Sequence, residues 1–572
     1  MNKFIAALTG NGLMLLLSAI AQAGSAQWDL NPKSGDWNTT ANWTPITVPN
    51  GPANTATFDF SNTTNVSISA NTEVNGITFT SAATSPYTIT ASPSFILTFS
   101  GRGITNNSGT TQNLVTAVNR AGQQGEILFT NAATAGSSTT FTNNGATVSG
   151  GFGGTTEFSG TSTAGNGTFT NNAATVVGGL AGMTSFNDSS TAGNGTFINN
   201  ALPGIETNGG VTEFLAGSAG NGTFINNGNN AGSAGSTLLF GSSTASNGTF
   251  TNNGGTGSSG AGGDTIFFDT STAAAATLIA NGGTGGARGG AIVFEQDSKG
   301  GRSRVEVFGN GELDMSLHTP SLTIGSIEGT GNAFLGSNNL TVGSNNMNTI
   351  FSGVIQDGGT IHGTGGSLTK IGSGTLDLTG SNTYTGNTNV NGGVLRVDGS
   401  ITSNTSVNSR GTLAGTGTIH GNVTNNGGTV SPGDAPGTLT VTGNYTQQAS
   451  STLLIDIAGH SPGQLSVLNV LGNANLNGTL DPVLLNGFIP MIGQSFVFLD
   501  YASLSGAFSS IENQVFDNGM EKWSVTYQST HAILTAESTT SGVPEQGSTF
   551  LLLTLSLLGM ATYRRLWIGA VC

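Results

Sequence analysis

A phenylalanine that returns at nearly fixed intervals constrains this chain more than any other feature. Following a Thr-Glu or similar pair, it falls at Phe129, Phe158, Phe186, Phe214, Phe240, Phe268 and Phe294. A companion in the pattern Gly-Asn-Gly-Thr-Phe-x-Asn-Asn falls at Phe141, Phe169, Phe197, Phe224 and Phe250, then becomes Leu278 and Val305, and both series advance by 26 to 29 residues. A period of this length signals stacked units, none of which can bury its apolar side alone. Each unit offers two short strand candidates, such as Thr156-Glu157-Phe158 and Gly167-Thr168-Phe169-Thr170, separated by Gly, Ser, Ala and Asn turns. If each unit is one coil of a parallel β-helix, successive phenylalanines stack on one inner face about 4.8 Å apart, and every strand finds backbone partners above and below. The pairs Asn143-Asn144, Asn171-Asn172, Asn199-Asn200, Asn226-Asn227 and Asn252-Asn253 would then form amide ladders, asparagine also suiting a left-handed turn. Glycine would serve the remaining tight corners.

Composition separates this reading from disorder. Only 8% of the 572 residues are charged and 91 are glycine, yet hydrophobic residues plus glycine reach an ordinary apolar total. A disordered Gly/Asn/Thr linker has no need of phenylalanine at a steady interval. The net charge of −15 and the scattered Lys and Arg exclude a nucleic-acid partner, whose phosphates need clustered cations. The lone Cys572 excludes an intramolecular disulfide and a thiolate cluster, leaving ladder hydrogen bonds and stacked side chains to hold the fold.

Both ends read as sorting segments. Met1-Asn2-Lys3, the apolar run Leu13 to Ile20 and the small residues Ala21 and Ala23 follow the pattern of a secretory signal with cleavage after Ala23. Near the other end, Val543-Pro544-Glu545 precedes the apolar stretch Phe550 to Tyr563, and Arg564-Arg565 follow at once. This order of motif, hydrophobic helix and basic stop resembles the PEP-CTERM sorting signals of bacteria. The resemblance implies an exosortase-like processing enzyme as partner and a membrane contact through the C-terminal helix, with the arginines kept cytoplasmic. The family's second proline is Gln546 here, and Leu566 to Cys572 extend past the arginines. A permanent stop-transfer anchor is the other reading of the same stretch.

Trp28, Trp37 and Trp43 crowd the first part of the exported chain. They fit an N-terminal cap over residues 24–100, because terminal repeats must cover the open edge of a solenoid. A sugar-stacking platform is the rival use of such rings.

From Gly366 to Val397, Leu368-Thr369-Lys370-Ile371-Gly372-Ser373-Gly374-Thr375-Leu376 leads into Asp377-Leu378 and, later, Val394-Leu395-Arg396-Val397. This closely resembles the autotransporter-associated β-strand repeat, also called the passenger-associated transport repeat. Leu368, Leu376 and Leu378 alternate with polar residues, Gly380-Ser381-Asn382 makes a corner, Val390 starts another strand, and Leu395 and Val397 alternate again, giving about one and a half coils. Ser431 to Leu439 and Leu465 to Phe508, including Leu484-Leu485-Asn486-Gly487-Phe488, are similar to later passenger elements. Autotransporters end in an outer-membrane barrel of alternating strands, whereas this sequence ends in the short apolar stretch, so general secretion followed by envelope attachment is expected.

Few residues of the sequence carry the marks of chemistry. His318, His362, His420, His460 and His531 share no metal spacing. Glu295-Gln296-Asp297-Ser298-Lys299, with Arg302, Arg304 and Glu306 behind, reads as a solvated loop between two strands of one coil. Gly262-Gly263-Asp264 is an isolated fragment of a calcium β-roll unit. Gly459-His460-Ser461-Pro462-Gly463 matches a nucleophile elbow, but the strand-like Leu465 to Val470 stands where a helix is required, so a turn is expected.

The sequence therefore predicts an all-β, elongated right-handed parallel β-helix with an N-terminal signal helix and a C-terminal hydrophobic helix. Its divisions are the signal peptide 1–23, cap and first rungs 24–100, Phe/Asn-rich repeats 101–315, further rungs 316–365, the autotransporter-associated repeat 366–400, passenger-like rungs 401–540 and the sorting signal 541–572. The expected function is structural or adhesive at the bacterial cell surface or extracellular matrix, noncatalytic and without cofactor or metal. Extracellular polysaccharide or neighbouring cells are the expected partners, and a polysaccharide lyase or hydrolase on the same scaffold is the alternative.

Overall fold

The computed structural model describes residues 24–539 apart from Ile205 and Pro320. They form two compact units, one running to Thr412 and taking in 417–421, the other made of 413–416 and the chain from Asn422. The expected signal helix with Ala21 and Ala23, and the C-terminal segment with Val543, Pro544, Glu545, Arg564 and Arg565, lie outside the described residues. Among the described residues no helix is long and apolar enough to cross a membrane.

In the first unit, short strands of about four to seven residues stack in parallel. Thr155–Phe158 lies between Glu126–Phe129 and Met183–Phe186 in one sheet, and Asn166–Asn171 lies between Ser137–Asn143 and Thr196–Asn199 in a second. Partners are one sequence repeat apart, so each turn of the chain adds a strand to each sheet, which is the pairing of a β-solenoid. Strands this short are unstable alone. Stacked in register, their backbone groups are satisfied by the coils above and below.

Alternation along each strand decides what goes inside. Phe99, Phe129, Phe158, Phe186 and Phe214 form one buried column, ring centres 4.6–4.9 Å apart and planes within 13°. Phe141, Phe169, Phe197, Phe224 and Phe250 form the second, at 4.5–4.9 Å and within 10°. The columns touch edge to face at 5.5–5.8 Å, a geometry that aromatic quadrupoles favour.

Two members of the first series do not belong to it. Opposite Phe214 stands Leu239, followed by Phe267 and Phe294. Phe240 and Phe268 sit one residue later and therefore on the outer side, where they stack on each other instead. A strand has a period of two, so a slip of one position reverses the face.

The asparagine ladders form, and they form twice. Inside, the Nδ2 groups of Asn143, Asn171, Asn199 and Asn226 each donate to Oδ1 of the next coil's asparagine at 2.7–2.8 Å, ending on Asn252. From the other sheet, Thr156, Thr184, Thr212, Thr237 and Thr265 donate their hydroxyls to Oδ1 of Asn143, Asn171, Asn199, Asn226 and Asn252 in turn. Outside, Asn172, Asn200, Asn227, Asn253 and Asn281 donate in the reverse direction, each to the preceding coil. None of these asparagines has a positive φ. The left-handed corner falls two residues after the first column, at Asn131, Gly160, Asp188, Gly241, Asp269 and Gln296, with φ between 52° and 66°.

Trp28, Trp37 and Trp43 are buried against Phe58, and their indole N–H groups donate to the carbonyls of Thr63, Pro49 and Trp37. With no face exposed, they cannot stack on sugar. Trp28 lies on the first strand, Ala26–Trp28, and Trp43 on the edge strand Trp43–Thr44 that pairs antiparallel with it, Trp28 opposite Trp43.

Beyond Val307 a third sheet appears, and around residues 368–397 the coils are short. Leu368 stands opposite Thr388 and Leu376 opposite Leu395, 20 and 19 residues on, because these coils lack the long excursions of the earlier ones. Residues 368–397 thus make one and a half coils, as the alternation implied. Val390 closes the strand Thr388–Val390 rather than starting one, and Gly393–Val397 follows.

In the second unit, Thr452–Ile457 pairs in parallel with Thr479–Leu484, and Val467–Leu476 with Ser495–Gly506. The expected run of rungs continues to Ser510–Ile511, which pairs in parallel with Thr479–Leu484. After it the pairing turns antiparallel, with His531–Ser538 lying between Ser495–Gly506 and Glu521–Tyr527 and Trp523 and Phe496 edge to face at 5.8 Å.

Candidate binding surface

The two sheets of the Phe/Asn-rich coils turn different chemistry outward. On the first, the outward positions carry Glu126, Glu157, Glu213, Asp264 and Glu312. Burial raises the carboxyls of Glu126 and Glu213 above the usual range, with repulsion from Glu157 adding to it, and Ser185 donates to Glu213 at 3.1 Å. Asp264 is pushed up to about 6 by burial, and its Oδ1 has no partner.

On the second sheet the outward positions of six consecutive coils are Thr140 and Thr142, Thr168 and Thr170, Thr196 and Ile198, Thr223 and Ile225, Thr249 and Thr251, and Thr277 and Ile279. All are half-exposed. Outer asparagines flank these ranks: Asn172, Asn200, Asn227 and Asn253 on one side, Asn166, Asn194, Asn221 and Asn247 on the other. The first charges come one coil later, where Arg304 is paired with Glu306 at 3.1 Å and with Glu328. Attention to the phenylalanine of Thr-Phe-Thr and Thr-Phe-Ile hides these ranks; the residues on either side of it carry the signal.

Between the sheets, excursions near Phe152 and Leu180 wall a groove of 530 Å³, floored by Met183, Val211 and Ser236 with Asn208 beside them. It is open and mixed in polarity. No acid-base pair converges on it.

The remaining candidates stay apart. Glu295 to Lys299 occupy the loop between Ala291–Phe294 and Arg304–Val307, as expected, whereas Arg304 and Glu306 lie on the strand itself. His318 is buried, its Nε2 2.6 Å from the Ser298 carbonyl, while His362, His420 and His460 are exposed. Among the described residues no group of three His, Cys, Asp or Glu could hold a metal. Gly459 to Gly463 is a loop closed by an antiparallel bridge between Ile457 and Leu465, with no helix behind Ser461. Lys370 is buried in the third sheet between Val342 and Val390; its ammonium donates to the carbonyls of Ile371 and Gly392 at 2.7 and 3.2 Å, and burial lowers it to about 8.

Fold and surface together define a β-solenoid repeat protein, a scaffold that displays side chains in ranks. Residues 368–397 match the Passenger-associated-transport-repeat family. The chain is 56% identical over 52 residues to an extracellular serine protease of Serratia marcescens, covering 9% of this chain and 5% of that protein. It is 34% identical over 122 residues to the adhesin BmaC autotransporter of Brucella suis biovar 1 (strain 1330), covering 19% of this chain and 4% of the adhesin. The chain thus spans only about a twentieth of the length of these relatives.

Proposed function

We propose that this chain is an exported, noncatalytic surface protein of bacteria that uses a rigid right-handed β-helix to present a polar adhesive face to extracellular polysaccharide or neighbouring cells. The observation that carries this reading is the contrast between ordered outward ranks of Thr and Asn and, among the described residues, the lack of any converging set of acid, base and nucleophile. The passenger-type repeat and the partial likeness to an adhesin agree with it, and right-handed winding is the rule for parallel crossovers. Export through residues 1–23, with cleavage after Ala23, and exosortase-like processing near Val543-Pro544-Glu545 complete the proposal. Arg564 and Arg565 keep the apolar stretch before them at the membrane until that cut.

The test is cell fractionation with intact-mass measurement, joined to assays of the purified chain on polysaccharides. Surface-associated protein lacking both end segments, which binds polysaccharide without releasing sugar, is the expected result. Sugar release abolished by a single substitution such as Glu157→Gln or Asp264→Asn would instead establish the enzyme reading, which the carboxylates of the first sheet favour as the second possibility.

A further inference from the structure

The neutral outer face of the second sheet is regular in two directions. Along the stack, the buried rings directly beneath it repeat every 4.5–4.9 Å, with planes only 9–10° apart. Adjacent strands ordinarily rotate by about 20° or more, so near-parallel rings beneath the five coils from Phe141 to Phe250 point to an unusually flat sheet. Along each strand, the two outward residues stand roughly 6.6 Å apart, twice the rise per residue. The result is a two-dimensional net with a β-branched side chain at every node. Thr fills the first rank without exception, and Thr or Ile fills the second. Branching at Cβ restricts χ1, so methyls and hydroxyls repeat with the backbone.

Two further properties narrow the ligand. The outward strand positions of these six coils hold no charged residue, although the opposite sheet of the same coils carries Glu126, Glu157, Glu213 and Asp264. The face therefore fits a neutral partner. Its hydroxyls are also uncommitted: Thr140 donates to Asn113, but among the described residues no side-chain hydrogen bond ties down Thr168, Thr196, Thr223, Thr249 or Thr277. A flat net of free hydroxyls and methyls, with no ion to impose its own hydration shell, holds first-layer water at the spacing of the net. The shorter repeat is close to the oxygen spacing along one direction of the prism faces of ice, and the longer one falls somewhat below the repeat in the other direction.

We propose that this Thr/Ile face binds ice, its ordered hydration layer merging with the crystal. The inference rests on the adhesive reading and assigns that face a ligand. Once the water layer freezes into the lattice, the protein is held at the front, and growth between bound molecules is hindered by curvature of the surface.

The test is partition of the full purified chain during slow freezing, together with thermal hysteresis, for wild type, the double variant Thr196→Lys with Thr223→Lys, the milder Thr223→Ser, and Glu213→Lys on the other sheet. Far-ultraviolet circular dichroism and melting confirm that each variant is folded. The expected result is wild-type enrichment in the ice fraction, its loss in the double lysine variant, reduction in Thr223→Ser and no change in Glu213→Lys. Rejection of the wild-type protein by ice, or enrichment that a folded double lysine variant retains, overturns the inference. Pull-down on microcrystalline cellulose and chitin separates the two readings: binding there without binding to ice removes ice as the ligand and leaves the adhesive reading standing, while binding to neither counts against both.

Discussion

Phe240 and Phe268 lie face to face with 4.6 Å between ring centres and planes 3° apart, on the outer side of the same coils whose inner column holds Leu239 and Phe267. Identical side chains one residue apart thus meet opposite surroundings, and their removal should differ accordingly.

Phe186→Ala empties a fully buried site between Phe158 and Phe214 and should destabilise the first unit by about 3–5 kcal/mol. Phe240→Ala removes an outer stack and should cost about 1 kcal/mol, the scale of an aromatic pair. Denaturant melts of the two variants measure the gap.

The inner and outer asparagines offer a second comparison. Asn199→Ala deprives Asn171 Nδ2 and Thr212 Oγ1 of their buried acceptor, and should cost about 2–4 kcal/mol because each stranded group carries a desolvation penalty. Asn200→Ala, on the solvated ladder, should cost well under about 1 kcal/mol. Amide hydrogen exchange around residues 196–199 should rise only in the inner variant.

Asp264 gives stability a pH dependence of known sign. Its carboxyl titrates near 6 in the folded chain against an ordinary value of 3.8, so the folded state binds more protons between these values and stability falls as pH rises from about 4 to 6. Asp264→Asn should abolish this decline and raise the melting temperature at pH 7, by up to about 3 kcal/mol in stability. Melts at pH 4.5 and 7 decide it.

Lys370 should act in the opposite direction. Its ammonium is lowered to about 8 from 10.5, so the unfolded chain binds more protons in that interval and stability rises as pH increases through it. Lys370→Met keeps the volume and loses the charge, and should remove the rise; Lys370→Ala leaves a void and should destabilise at every pH. The measurement is melting temperature between pH 7 and 10.

Much of this architecture could be read from residue spacing alone. The repeat interval, the pairing of Phe141 with Phe169 and Phe197, and the inner ladder from Asn143 to Asn252 follow from one rule, that equivalent residues in successive coils stack. The same rule placed the one and a half coils at 368–397. It failed at Phe240 and Phe268, because a count accurate to one residue still leaves the face of a strand undetermined, and only the register with Leu239 and Phe267 settles it. The tertiary structure alone decided that Trp28, Trp37 and Trp43 are sealed against Phe58, that antiparallel pairing around His531–Ser538 follows the last parallel rung at Ser510–Ile511, and that one sheet faces outward with carboxylates while the other faces outward with threonine. Each of these depends on which side of a strand meets water and which neighbour lies across it, a relation between distant residues that spacing along the chain does not carry.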